Sequence, residues 1–98
     1  MPIAKASVST AHGAKYMQQL CKHWSHKLGV ELTELRGVVT FPAAVATFAP
    51  SPDALFVTIE GEKREEVERL KGVVASHLDR FAFREAPLKF DWTGPENG

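Results

Sequence analysis

One cysteine in 98 residues, Cys21, is too few for an internal disulfide, for a four-thiolate zinc site or for an iron–sulfur cluster held within one chain. Such cysteine usage suits a reducing cytoplasm, which is the expected location. No stretch approaches the roughly 20 consecutive apolar residues of a membrane span. The opening Met1-Pro2-Ile3-Ala4-Lys5-Ala6-Ser7 carries no apolar run of the kind a secretory signal needs. Neither charge is in excess, because twelve basic residues balance twelve acidic ones. That balance argues against a surface built to neutralise nucleic-acid phosphates or an anionic bilayer, so neither nucleic acid nor membrane is expected as a partner. Repeats, low-complexity tracts and a glycine-rich phosphate loop are also missing.

What is present suits one soluble globular domain: 44% of the residues are hydrophobic, enough for a single modest core. The domain is expected over residues 1–93, with a flexible C-terminal tail over 94–98, where Gly94, Pro95 and Gly98 fall. Ile3 to Ser9 alternate as a short strand does, and Ser9-Thr10 supply hydroxyls that can cap a helix. From about Ala11 to Leu28 the apolar residues Ala14, Met17, Leu20, Cys21, Trp24 and Leu28 recur at helical spacing, and Gly29 stands where a left-handed C-cap is wanted. Val30–Leu35 and Val38–Phe41 read as a hairpin around Arg36-Gly37. Pro42 marks an edge, bulge or break before Ala44–Ala49, and Leu55–Ile59 is the most strand-like segment. After Gly61 a second helix begins with Glu62, Glu65 and Glu66, carries the stripe Val67, Leu70, Val74, Leu78 and Phe81, and ends near Phe83 to Glu85, before Pro87. Leu88–Trp92 closes as a last strand. The order β-α-β-β-β-α-β, with a fourth central strand open, predicts an α+β two-layer sandwich: a mainly antiparallel sheet with both helices on one face.

Chemistry-bearing side chains concentrate in Leu20-Cys21-Lys22-His23-Trp24-Ser25-His26-Lys27. At about 100° per residue, Cys21 leans toward the core with Met17, Leu20 and Trp24, while His12, Gln19, His23 and His26 share the opposite face, with Tyr16 and Lys27 along its margin. The opposed faces argue against a Cys-His-His metal site within this helix, because its ligands must converge on one point about 2 Å from each. His23 and His26, three apart, remain the metal candidates, and a solvated polar face is their plainer reading. His77 falls on the apolar face of the second helix. Either it bonds a backbone carbonyl or a neighbour such as Tyr16 or Ser76, or it meets Cys21 in the seam between the helices and activates the thiol. Phe83 lies off the core stripe and must pack at the helix end, on the last strand or on a partner. Arg80 and Arg84 could bind an anion, or pair with Asp79 and Glu85.

The first of these segments, together with Val74-Ala75-Ser76-His77-Leu78-Asp79-Arg80-Phe81-Ala82-Phe83-Arg84-Glu85, resembles a small bacterial family labelled domain of unknown function 2218. The Ser-Thr cap, the Arg36-Gly37 turn leading to Phe41-Pro42, and Leu88-Lys89-Phe90-Asp91-Trp92-Thr93 extend the likeness over nearly the whole chain. The resemblance implies a bacterial protein connected with siderophore-interacting reductases, hence with iron acquisition, and assigns no catalytic residue. An aldolase label that accompanies such sequences is set aside, since a barrel aldolase needs roughly 250 residues. Two functions compete. One is an accessory module that contacts iron, haem or a reductase partner through His12, His23 and His26; no cofactor is certain. The other is a small thiol-dependent enzyme or redox protein using Cys21 with His77. The balance falls against catalysis, and a homodimer is compatible with either.

Overall fold

A computed structural model describes residues 1–97. The elements are β1 (Pro2–Ser9), α1 (Gly13–Trp24), β2 (Gly29–Leu32), β3 (Gly37–Phe41), β4 (Ala44–Pro50), β5 (Ala54–Gly61), α2 (Arg64–Phe81) and β6 (Phe90–Asn97). The strands form one antiparallel sheet in the order β2-β3-β4-β5-β1-β6. Thus β1 sits inside the sheet, between β5 and β6. Helix α1 packs over β2 to β5, and α2 over β5, β1 and β6. This is the expected two-layer α+β arrangement, with four strands between the helices.

Strand alternation decides which side chains meet the helices. Ala4, Ala6 and Val8 of β1, Ala44, Ala46 and Phe48 of β4, and Leu55, Val57 and Ile59 of β5 are buried, while Lys5, Ser7, Ser9, Phe56 and Glu60 face outward and are exposed. Against the inner face stand Met17, Leu20, Cys21 and Trp24 of α1 and Val67, Leu70, Val74 and Leu78 of α2. Short alanines in β1 and β4 leave room for these larger side chains. Among the described residues the opposite sheet face carries no helix. Among the described residues no helix is long and apolar enough to cross a membrane.

Several boundaries differ from the sequence reading. Helix α1 is shorter at both ends. The hydroxyl oxygen of Thr10 accepts the His12 backbone N–H at 3.1 Å, turning the chain before Gly13. At the other end Ser25 Oγ donates to the Lys22 carbonyl at 2.7 Å, and residues 25–27 form a turn. Gly29 opens β2 and does not serve as a left-handed cap; among the described residues the glycine with positive φ is Gly94. Ala14 is exposed and Phe81 only half-buried. Pro42 and Ala43 form the tight link of the β3–β4 hairpin, in which Phe41 pairs with Ala44. Residues 94–97, expected as a tail, continue β6 and pair with β1, Pro2 opposite Asn97; Gly98 lies outside the described residues.

Candidate functional site

Sequence spacing puts Tyr16 at the margin of the polar stripe of α1, yet it is only 6% exposed. A buried phenol needs a partner for its hydroxyl. It finds one far away in sequence: the Tyr16 hydroxyl donates a short hydrogen bond to Glu85 Oε2, just beyond α2. Thr10 Oγ1, itself 6% exposed, lies 3.1 and 3.2 Å from the two oxygens of the same carboxylate and donates to it. Thr10 and Glu85 thereby join the start of α1 to the end of α2. The Tyr16 hydrogen bond, helped by Thr10 and by the charge of His12, holds the Glu85 carboxyl below its ordinary value against the opposing effect of desolvation. The same bond, burial and the carboxylate charge push the Tyr16 phenol above its ordinary value, with Arg84 opposing. Tyr16 is therefore a hydrogen-bond donor held in place, not a base.

Beside this clasp the seam between α1 and the end of α2 opens as a groove of about 190 Å³, lined by Lys15, Tyr16, Gln19, Phe81, Phe83 and Arg84. Phe83 is 71% exposed. It packs neither in the core nor on the last strand; the Arg84 guanidinium lies 5.7 Å from its ring centre. Two carboxylates expected to pair with the arginines are engaged elsewhere: Glu85 in the clasp, and Asp79 as acceptor of the Leu88 backbone N–H at 2.9 Å. Arg80 and Arg84 are exposed. Among the described residues the ion pairs are Glu66–Arg69 and Glu68–Lys71, within α2.

The histidines separate. His12 is exposed at the clasp end, its ring 6.0 Å from that of Tyr16. His23 is exposed at the other end of the seam, 5.6 Å from His77 and 5.9 Å from Phe81 between ring centres. His26 is exposed but stands in the turn after α1, off the helical stripe. His77 is half-buried, with Nδ1 2.7 Å from the Val73 carbonyl and its ring 5.1 Å from Trp24. The backbone-bonded reading of His77 accounts for it without the thiol. Among the described residues no group of three or more His, Cys, Asp or Glu side chains is placed to hold a metal ion.

Cys21 is fully buried and turned toward the sheet, where a side chain at Gly37 would lie 2.7 Å from its sulfur. Burial alone pushes the thiol up to about 11. A thiolate nucleophile needs the reverse, a lowered pKa and access. The structure thus does not make a thiol–imidazole pair of Cys21 and His77: the first packs on β3, the second on Trp24 and His23. Sequence reasoning missed Thr10 and Glu85 as partners, reading one as a cap and the other as an arginine's counter-ion. Their only signal was a lone tyrosine at a helix margin, whose hydroxyl had to be satisfied.

A family described as an uncharacterized protein conserved in bacteria (DUF2218) matches residues 5–93. The NMR structure of PA4090 from Pseudomonas aeruginosa is similar at 32% identity and a TM-score of 0.85, over 99% of this chain and 100% of that one. No curated protein matches the sequence.

Proposed function

The chain belongs to the bacterial family of uncharacterized proteins DUF2218, and from that premise we propose that it is a non-catalytic binding module of iron utilisation. Its ligand face is the α1–α2 seam, and its ligand is an anionic iron chelate bearing planar rings, received from or passed to a siderophore-interacting reductase. The observation that supports this reading most is Phe83, a large aromatic ring left in water beside Arg84, at a groove also lined by Lys15. An exposed ring flanked by cations suits a planar anion, which stacks on one and pairs with the other. The groove has room for one arm of such a chelate. Full burial of the one cysteine, Cys21, favours binding over thiol catalysis.

Isothermal titration of the full chain against a ferric catecholate siderophore, and against the reductase, tests the proposal. Saturable heat is expected with at least one of them, weakened by about tenfold when Phe83→Ala and Arg84→Gln are combined. Absence of heat with both would sink it.

A further inference from the structure

We propose that His23 and His77 together bind one divalent late transition-metal ion across the α1–α2 seam, a site independent of the groove's organic ligand. Spacing within α1 pairs His23 with His26, but tertiary packing gives His23 a different neighbour, the ring of His77 at 5.6 Å between centres. Two imidazoles bound to one ion through nitrogens about 2.0–2.1 Å from it have ring centres about 5 to 5.5 Å apart, and the observed centre-to-centre spacing matches that separation. The tautomer of His77 is also suitable. Its Nδ1 donates to the Val73 carbonyl at 2.7 Å, which leaves the lone pair on Nε2. A backbone carbonyl behind the ring is the usual outer partner of a metal-bound histidine, fixing the tautomer and the orientation of the ring.

The surroundings hold the rings while leaving the ion accessible. Trp24 lies 5.1 Å from His77, and Phe81 lies edge-on to His23 at 5.9 Å, so both imidazoles rest against aromatic walls. His23 is exposed, which gives an ion a route from solvent and leaves its remaining positions to water or to a chelating ligand. Neutral imidazoles select late divalent ions such as Cu²⁺, Ni²⁺ and Zn²⁺ over Mg²⁺ and Ca²⁺, with Cu²⁺ bound most tightly.

Ni²⁺ is the probe to use first, because it does not oxidise Cys21. Titrated into the full chain and followed by tryptophan fluorescence, it should quench Trp24 in a saturable way at one ion per chain. His23→Gln, an exposed change that leaves the fold intact, should weaken binding at least about tenfold, and His77→Gln should do the same. His26→Gln and His12→Gln should leave the affinity unchanged. Non-saturable quenching, one ion shared by two chains, or equal losses in the His23 and His26 variants would each overturn the assignment.

Discussion

Glu85 receives hydrogen bonds from Tyr16 and Thr10. Tyr16→Phe removes one donor but leaves the carboxylate with Thr10 and with water, so a loss of about 1 kcal/mol is expected in urea unfolding. The pH dependence has two limbs. Glu85 is held low, so its contribution is complete above the 4.5 of the free carboxyl and is lost as the pH falls through its lower folded value. Tyr16 is held high, so its contribution is complete below 10.0 and is lost as the pH rises through its raised folded value. Tyr16→Phe should accordingly show a smaller drop in urea midpoint between about pH 7 and about pH 3 than the native chain; an equal drop would remove the clasp from the explanation. Cys21 makes a separate prediction. Fully buried, with its thiol pushed up to about 11, it should react with a disulfide reagent only as fast as the protein opens, and promptly in denaturant.

Among the elements, α1 and β3 are in tight contact where Gly37 faces Cys21 and Met17. A methyl at position 37 would stand 2.7 Å from the cysteine sulfur and 3.3 Å from Met17 Cγ. Gly37→Ala is expected to cost roughly 1–3 kcal/mol, and most of that cost should vanish in a Cys21→Ala background, where the overlapping atom is gone. A double-mutant cycle reads this directly, and additive losses would place the contact elsewhere. Strand β6 has its own constraint. Its register on β1 shifts between Ile3 and Lys5, and Gly94 at φ +85° occupies the shift, where a Cβ would overlap the Ile3 carbonyl oxygen. Gly94→Ala should cost at least roughly 1–3 kcal/mol for the backbone conformation and loosen β6 from β1, visible as faster amide exchange in both. By contrast the Glu66–Arg69 pair of α2 is a surface i,i+3 contact whose removal should change stability little, whereas Lys71, paired with Glu68, also donates to the Gly94 carbonyl at 2.7 Å and so ties α2 to β6.

At the scale of the whole molecule, the strand order gives β1, β3, β4 and β5 a neighbour on both edges, while β2 and β6 have one free edge each. The slowest-exchanging amides should therefore lie in β1, β3, β4 and β5, and the four-residue β2 should exchange fastest of the strands. Placing β1 between β5 and β6 brings both ends of the chain into one sheet, with Ile3 opposite both Glu60 and Glu96. The two helices cover one face only, so their seam is where residues distant in sequence converge on an accessible surface. Thr10 meets Glu85 there, and His23 meets His77.

The alternation of Ile3–Ser9 and Leu55–Ile59, and the stripes Met17-Leu20-Trp24 and Val67-Leu70-Val74-Leu78, determined by themselves the element order, the α+β class and the buried faces. Those signals are local, since a period of two or 3.6 residues records which side of an element must leave water. The inward lean of Cys21 was legible for the same reason. Helix ends were less so, because Thr10 and Ser25 turn the chain through single side-chain bonds that periodicity does not register. The strand character of residues 94–97 was hidden too, because it arises from pairing with β1 at the far end of the chain. Only the tertiary structure decided the partners: Tyr16 with Glu85, His23 with His77 in place of His26, and Cys21 with Gly37 in place of His77. Each of these contacts is set by how the helices cross and where they rest on the sheet, and a helical repeat specifies a face but not the neighbour that covers it.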